Sequence, residues 1–365
     1  MKIFASVDSF KGTITSKDIS SIIENELGAL GHSVEICPIS DGGEGFVEVL
    51  KAHFSAEGIL VNSVDALNRE IVCEYVLIDD VAYIEMNSSA GITLIQKKDL
   101  NPLITSTYGV GLIVMDAINK GAKEVVIGIG GSSTNDGGAG MLQALGVNFY
   151  IDNLLVTDHM NGYLIGKITS FDTDILVQKI KDVKFNIFSD VKNPLLGKKG
   201  CSYVYSPQKG ADKEMVLVLE RNMNNYAALV EKHFQKNVID FEGAGAAGGF
   251  GFGAVTFLNA TISSGIYSMI KLLDIEELIE RADVVIVGEG KLDSQTMYGK
   301  APAGIAQIAK KHHKTVVGVF GIIDNDADYD FLDHIVSVVP KYASSSESIA
   351  NPKLYFTNMI KELKI

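Results

Sequence analysis

The sequence predicts an α/β protein with two domains, and three observations support this fold class. The chain has 365 residues, which exceeds the usual size of one compact domain. Both of its ends alternate short apolar runs with helix-like segments, the pattern of parallel β-α-β units. The middle contains short alternating runs, which are typical of antiparallel strands. We therefore expect a discontinuous Rossmann-like parallel-sheet domain from residues 1–58 plus 240–365, and an inserted mixed α/β domain at residues 59–239.

The first predicted β-α-β unit lies at the N-terminus. The apolar run Lys2–Val7 stops at Asp8, a helix-like segment covers about residues 16–30, and a second apolar run at 33–39 precedes Asp41. Ligands of open parallel sheets bind outside the carboxyl ends of the strands. Asp8 and Asp41 are therefore expected where chemistry takes place.

The middle of the chain has several predicted elements. They are hairpin strands at about 71–78 and 81–86, a helix at about 108–119, a buried strand at 124–129, and a strand at 185–188. A glycine-rich turn follows the strand at 124–129 and opens a helix near Met141. Because this piece has the strand-turn-helix form of the end domain, the sequence leaves open which domain residues 105–146 join. Residues 150–184 are polar and are expected to be less regular.

The pattern of a parallel sheet returns towards the C-terminus. Strands are expected at 283–287, 316–320 and 334–339, with a helix at about 303–311. The first of these strands is expected to stop at Gly288-Glu289-Gly290, which places Glu289 in a turn at a strand end.

Composition excludes several function classes. The net charge of −13 disfavours binding to a nucleic-acid backbone or to an anionic membrane surface. The three cysteines are far apart and not in metal-binding spacing, so buried free thiols are expected. Neither a signal peptide nor a membrane-spanning run is recognisable. We expect a cytoplasmic protein, a monomer or homodimer, whose partners are small molecules.

The turn GIGGSSTNDGGAG at residues 128–140 is the most informative segment. Glycines allow close approach of the backbone to an anion, and a turn between a strand and a helix directs N–H groups at one point. The candidate phosphate- or substrate-binding residues here are Gly130, Gly131, Ser132, Ser133, Thr134, Asn135 and Asp136. The alternative is a tight turn with helix-capping side chains. The turn is not a Walker A loop, because G-x-x-x-x-G-K-[ST] is absent.

A second glycine-rich stretch, GAGAAGGFGFG at residues 243–253, contains the pattern G-x-G-x-x-G. A dinucleotide site also needs an acidic residue about 20 positions further on. None is present at residues 263–267, so a nicotinamide cofactor is disfavoured. Close helix packing on small residues and a phosphate-binding role are left equally open.

Acidic and basic residues, together with Ser9, recur at predicted strand ends and turns. They are Asp8, Ser9 and Lys11 in DSFKG, Asp41 and Glu44 in DGGEG, Asp190, Lys209, and Glu289, Asp293 and Lys300 in the segment GEGKLDSQTMYGK. Each could singly be a solvated loop residue. Together they supply what phosphoryl transfer requires, namely metal-binding carboxylates, cationic phosphate contacts and a group that orients the attacking hydroxyl.

These segments, in this order, closely resemble the type I glycerate kinase family. The matching blocks are DSFKG, DGGEG, TYGVG at 107–111, GIGGSSTNDGGAGMLQALG at 128–146, SDVKNPLLG at 189–197, PQKGA at 207–211, GAGAAGGFGFG, and GEGKLDSQTMYGKAP at 288–302. The resemblance implies transfer of the ATP γ-phosphate to D-glycerate with Mg²⁺, 2-phosphoglycerate as the product, and an active site in the cleft between the two domains.

The resemblance also suggests roles for individual residues. Asp8 or Asp190 would orient or deprotonate the glycerate hydroxyl, and Lys11 and Lys209 would meet anionic oxygens. Asp41, Glu44 and Glu289 would hold Mg²⁺ or its waters. The alternatives are 3-phosphoglycerate as the product, a related hydroxy acid as the substrate, an NAD-dependent oxidoreductase, and a non-catalytic glycerate sensor.

Overall fold

The computed structural model describes residues 1–364 except residues 11, 41, 236, 238, 294–295, 297–300 and 325–328. The strands are β1 (Lys2–Val7), β2 (Ser33–Ile36), β3 (Gly58–Val64), β4 (Glu70–Ile78), β5 (Val81–Glu85), β6 (Glu124–Gly128), β7 (Asn148–Ile151), β8 (Leu154–Leu155), β9 (Ser170–Asp172), β10 (Lys184–Phe188), β11 (Thr261–Ser263), β12 (Val284–Leu292), β13 (Thr315–Ile323) and β14 (His334–Ser337). The α-helices are α1 (Ser16–Ala29), α2 (Phe46–Phe54), α3 (Asn87–Ala90), α4 (Tyr108–Asn119), α5 (Ala139–Leu145), α6 (Asp174–Ile180), α7 (Cys201–Tyr205), α8 (Lys213–Phe234), α9 (Ala246–Leu258), α10 (Gly265–Leu272), α11 (Ile275–Arg281), α12 (Ala301–Lys311), α13 (Ser345–Ala350) and α14 (Pro352–Lys361).

The first compact unit consists of Met1–Asp41 and Ser264–Ile365. Its five-stranded sheet has the order β14-β13-β12-β1-β2, and all neighbouring strands are parallel. Helices α1 and α14 pack together, and their apolar faces share a core with strand residues such as Ile3 and Ile286. The predicted parallel sheet built from both ends of the chain is confirmed.

The second unit is the continuous segment Gly42–Ser263. Its six-stranded sheet has the order β11-β10-β6-β5-β4-β3. The four strands from β11 to β5 are parallel, whereas β5, β4 and β3 are joined antiparallel. A separate three-stranded sheet has the order β8-β7-β9. The predicted mixed sheet and its hairpin are therefore confirmed.

Two details of the prediction are wrong. The strand expected to stop at residues 288–290 continues to Leu292, because Lys291 and Leu292 still pair with Ile322 and Ile323 of β13. Glu289 is therefore part of a strand. Residues 150–184 are also more regular than expected, since β9 and α6 form within them.

The boundaries between the units fall at residues 41/42 and 263/264, whereas the sequence suggested 58/59 and 239/240. Packing explains the difference, because α2 contacts β4 and β5 and β11 pairs with β10. Residues 105–146 belong to the second unit, where β6 lies between β5 and β10. None of the helices in the described part of the chain is long and apolar enough to cross a membrane.

Candidate active site

The first unit has a cavity of about 390 Å³ at the carboxyl ends of its central strands. Asp8 and Ser9 line it just past β1, and Glu289 lines it from β12. The chain leaves β1 towards β2 on one side and leaves β12 towards β13 on the other. The cavity thus lies at the point where the strand order reverses, which is the usual ligand site of an open parallel sheet.

Asp8 and Glu289 are both oriented by hydrogen bonds. The backbone N–H of Ser9 donates to Oδ1 of Asp8 at 2.7 Å, and Asp8 is only 8% exposed. The hydroxyl of Thr296 donates to Oε1 of Glu289 at 2.7 Å and accepts from the N–H of Asp293 at 3.1 Å. Thr296 was not among the predicted residues, although it lies inside the motif that drew attention to Glu289 and Asp293. It connects these two carboxylate residues.

The second unit carries its candidate residues at the carboxyl ends of β5, β6 and β10. The loop after β6 is anchored at Ser133, whose N–H and hydroxyl both donate to the carbonyl of Ala90, at 2.8 Å and 2.9 Å. Ser133 is buried. Its role is therefore to hold the loop in place.

Lys209 is buried against this loop. Its ammonium donates to the hydroxyl of Ser132 at 2.8 Å and to the carbonyl of Thr134 at 2.6 Å. Burial lowers the pKa of Lys209 to about 8, and electrostatic interactions with Cys201 and Asp136 act in the opposite direction. An ammonium has three N–H donors, so one is left for an anionic oxygen. The structure thus brings Lys209 to the loop across 75 residues of sequence.

Asp136 differs from the expectation of a ligand-binding carboxylate. It accepts hydrogen bonds from the N–H and hydroxyl of Thr107 and from the N–H groups of Gly138 and Gly140. Burial raises its pKa, and these hydrogen bonds oppose that shift. With its two oxygens engaged in this way, Asp136 fixes the start of α5 and the loop before it. Thr107, in the TYGVG block, is a hydrogen-bond partner of Asp136 that was not among the predicted residues.

Three buried polar atoms near this loop have no hydrogen-bond partner among the described residues. They are Oδ1 of Asn87, Oγ1 of Thr134 and Oδ1 of Asn135. Buried polar atoms are normally paired, so these oxygens are candidates for contact with a ligand. Asn87 lies close to the loop. Its Oδ1 would be only 3.2 Å from a Cβ added at Gly131. Sequence reasoning missed Asn87, although it directly follows a predicted strand.

The turn Gly42–Gly45 packs against the same edge of the second sheet. A Cβ on Gly128 would lie 2.0 Å from the carbonyl oxygen of Gly42, so only glycine at position 128 permits this contact. Glu44 is an exposed residue of the turn. Glu85, at the end of β5, accepts from the N–H groups of Gly45 at 3.2 Å and Val47 at 3.4 Å.

Glu85 was not predicted as a site residue. Burial raises its pKa to about 7, the charge of Glu44 adds to the shift, and the hydrogen bonds from Val47, Gly45 and Asn87 oppose it. Its position as the acidic last residue of the largely apolar strand VAYIE is the signal that could have identified it. Glu85 connects the DGGEG turn to the sheet.

The second glycine-rich stretch packs against the loop after β6. It forms the start of α9, where Gly248 has φ +68° and accepts a hydrogen bond from the N–H of Gly137 at 3.1 Å. A Cβ on Gly248 would lie 2.1 Å from the carbonyl oxygen of Thr134. Of the two alternatives left open by the sequence, close packing on small residues is the one these contacts support.

The predicted residues therefore fall into two groups. Asp8, Ser9, Glu289 and Asp293 belong to the first unit, while Glu44, Gly130 to Asp136, Asp190 and Lys209 belong to the second. Asp190 is half-buried two residues past β10. Lys11, Asp41 and Lys300 lie outside the described residues.

The donor chemistry fits Mg²⁺, which takes carboxylate and phosphate oxygens and keeps several waters. Asp8 and Glu289 line one cavity and offer such oxygens. Within the described residues, the group of three side chains already close enough to share a metal is elsewhere, at Glu276, Glu280 and His312. There Glu276 already pairs with Lys311 at 2.7 Å. Glu289 would therefore hold Mg²⁺ or its waters at this cavity, where Asp8 is also part of the lining.

Fold and site together define an α/β protein whose candidate ligand-binding residues lie at the carboxyl ends of parallel strands. The sequence model of the glycerate kinase family matches residues 3–364. A glycerate kinase of Bacillus subtilis (strain 168) is 35% identical over 372 residues, which cover 100% of this chain and 97% of that protein. A glycerate 2-kinase of Escherichia coli (strain K12) is 36% identical over 330 residues, 89% of this chain and 86% of that one.

A solved crystal structure agrees with these sequence similarities. It is of a Salmonella typhimurium LT2 protein with a provisional glycerate kinase 2 name, and it superposes with a TM-score of 0.84 at 32% identity. The match covers 99% of this chain and 96% of that chain. The chain belongs to the glycerate kinase family, and it is accordingly a kinase.

Proposed function

We propose that this enzyme transfers the γ-phosphate of ATP to D-glycerate and releases 2-phosphoglycerate. Membership of the family supports the reaction class, and the name of the Escherichia coli relative supports the position of the phosphate. The observation that carries the substrate assignment is the buried ammonium of Lys209 on the loop after β6. A buried cation with a free donor suits a small carboxylate.

The second unit is proposed to bind the hydroxy acid. The ammonium of Lys209 would donate to the glycerate carboxylate, and Oδ1 of Asn87 and of Asn135 would accept from its hydroxyls. Each of these two oxygens is without a partner among the described residues. A pocket that hydrogen-bonds hydroxyl groups discriminates strongly against substrates that lack them. This arrangement favours a polyhydroxy acid over a simple acid.

The first unit is proposed to supply the metal-binding carboxylate Glu289, which lines the same cavity as Asp8. Mg²⁺ bound there, with Asp41 and Glu44 as further ligands of the metal or its waters, would neutralise charge on the phosphate oxygens. Lys11, Ser9, Asp293 and Lys300 are proposed contacts of the same oxygens.

Asp8 or Asp190 is proposed to position the attacking hydroxyl. The hydroxyl oxygen forms a bond to the γ-phosphorus, the bond from that phosphorus to the β-phosphate oxygen breaks, and ADP leaves with the electron pair. The hydroxyl proton passes to the carboxylate. A carboxylate at a strand end is suited to this step, because it accepts the proton as charge develops on the oxygen.

The test is phosphoenolpyruvate formation from D-glycerate, ATP and Mg²⁺ with enolase as the sole coupling enzyme. Product under these conditions is the expected result, because enolase uses 2-phosphoglycerate. Product only after a phosphoglycerate mutase is added would show that 3-phosphoglycerate is made. A third result is that neither assay gives product while ADP forms from ATP in the presence of hydroxypyruvate, tartronate or a longer sugar acid. That result would replace glycerate by that acid as the proposed substrate.

A further inference from the structure

We propose that the cavity of the first unit is the binding site for the nucleoside part of ATP. The inference rests on the proposed function and assigns one of its two substrates to a particular cavity. The cavity is defined by the carboxyl ends of β1, β12 and β13 and by residues of α12 and α13. Its lining belongs entirely to the first unit.

Most of the cavity wall is apolar. Phe10, Ile322, Val339 and Ile349 contribute side chains to it, and Ala301 contributes the start of α12. Apolar and aromatic walls bind a purine ring through the area that they remove from water. Glycerate has almost no apolar surface, so the same walls would add little to its binding.

The lining also contains polar and charged residues. They include Asp8, Ser9, Glu289 and Lys291, and the hydroxyl of Ser9 has no hydrogen-bond partner within the described part of the chain. A lining that combines apolar side chains with a few polar groups suits a base attached to a sugar and phosphates. Glu289, the carboxylate proposed to hold Mg²⁺, is part of the same lining.

Size points to the same ligand. The cavity volume of about 390 Å³ lies within the range of about 300 to 1,000 Å³ that is usual for sites of drug-sized ligands and cofactors. A three-carbon acid would leave most of this volume unfilled. The hydroxy acid has a better-matched site at Lys209 in the second unit, where the available groups are polar and buried.

The experiment measures ADP binding calorimetrically with the full chain. Ser348 of α13 lines the cavity, and Ser348→Trp would fill it. Ser346→Trp is the matched control, since Ser346 is exposed on the same helix and outside the lining. We expect Ser348→Trp to raise the Kd for ADP by at least about tenfold, to raise the KM for ATP, and to leave the KM for glycerate unchanged. Ser346→Trp should resemble the wild type.

A second pair of variants guards against misfolding of the tryptophan variant. Ile349 is 65% exposed, so Ile349→Glu should fold, yet it places a charge on the apolar wall. Leu354→Glu on α14, where Leu354 is 55% exposed, is its control. Weaker ADP binding in Ile349→Glu, with wild-type ADP binding in Leu354→Glu, supports the inference. In the wild type, adenosine should compete with ATP and not with glycerate.

The inference is overturned if both cavity variants bind ADP as tightly as their controls, or if they raise the KM for glycerate in place of that for ATP. It is also overturned if the wild-type protein does not bind ADP. These results are separate from failure of the proposed function, which would appear as normal ADP binding without formation of any phosphoglycerate.

Discussion

Among single residues, Lys209 differs most from what its type suggests. Lysine is almost never fully buried unless it is paired, and Lys209 is 2% exposed. The hydrogen bonds from its ammonium to Ser132 and Thr134 offset the cost of burying the charge only in part. Burial therefore lowers its pKa to about 8. A residue with this combination of burial and unused hydrogen-bonding capacity is a strong candidate for substrate contact.

Lys209→Met should raise the KM for glycerate by at least about tenfold, because a charge-assisted hydrogen bond contributes about 1.5–3 kcal/mol. Since the pKa is about 8, the wild-type KM should be constant at lower pH and rise as the ammonium loses its proton above pH 8. The variant should lack that rise. Lys213→Met, at an exposed position at the start of α8, is the control. An unchanged KM in Lys209→Met would remove Lys209 from the substrate site.

Asp190→Asn should lower kcat by about 100-fold or more and leave the KM for ATP nearly unchanged, since a positioned base contributes about 10²–10⁴-fold to the rate. Steady-state kinetics with both substrates provides the measurement. Asp182→Asn is the matched control, because Asp182 is exposed just before β10 and therefore at the opposite end of the same strand. Near-normal turnover in Asp190→Asn would leave Asp8 as the proposed base.

Glu85→Gln should change how stability depends on pH. The folded pKa of about 7 is above the ordinary value of 4.5, so the folded chain holds this proton more tightly than the unfolded chain. Glu85 therefore stabilises the fold below pH 4.5, and this contribution is lost as the pH rises to 7. The free energy of unfolding of wild type relative to the variant should fall by about 3 kcal/mol over that interval.

Urea unfolding at several pH values measures this difference. Glu70→Gln is the control, because Glu70 is exposed at the start of β4. A difference between wild type and Glu85→Gln that does not vary with pH would contradict the predicted titration of Glu85.

For the elements, close contacts between loops and strand ends decide where the site residues lie. Gly128 ends β6, and its lack of a side chain lets the carbonyl of Gly42 approach. Gly248, near the start of α9, also lacks a side chain, which lets the carbonyl of Thr134 approach its backbone. These contacts pack the DGGEG turn and the second glycine-rich stretch against the second sheet and its loop.

Gly128→Ala should destabilise the protein by a few kcal/mol, about the cost of overpacking a tight site, and should lower kcat/KM because the DGGEG turn moves. Gly28→Ala is the control, since a Cβ there meets nothing within 4 Å. In α1 this control should be neutral or stabilise by about 0.5–1 kcal/mol. Thermal unfolding and kinetics on both variants test the contact. Equal stability of the two variants would contradict it.

For the whole molecule, the second unit is one continuous segment with its own apolar core. A fragment of residues 42–263 should therefore fold and unfold cooperatively. It should retain weak binding of glycerate through Lys209 but have no kinase activity, because Asp8 and Glu289 belong to the other unit. Calorimetric unfolding and a glycerate titration test this expectation. Failure of the fragment to fold would show that the core needs the first unit.

Much of the architecture follows from local sequence. The helix Tyr108–Asn119 and the strand Lys2–Val7 have the predicted bounds, because apolar periodicity and flanking glycine or acidic residues are local signals. The extension of β12 to Leu292 could not be predicted. Its residues Gly288, Glu289 and Gly290 have low strand propensity, and pairing with β13 overrides that propensity.

The sequence by itself determined the fold class, the family and most of the residues that line the strand ends. Only the tertiary structure decided which residues at these strand ends and loops have groups left for a ligand. Asp136 and Ser133 are used up by internal hydrogen bonds, while Lys209, Asn87 and Asn135 are buried with unused donors or acceptors. The physical reason is that a residue's type is local, whereas burial and hydrogen-bond satisfaction depend on segments that are distant in the chain and meet only in the fold.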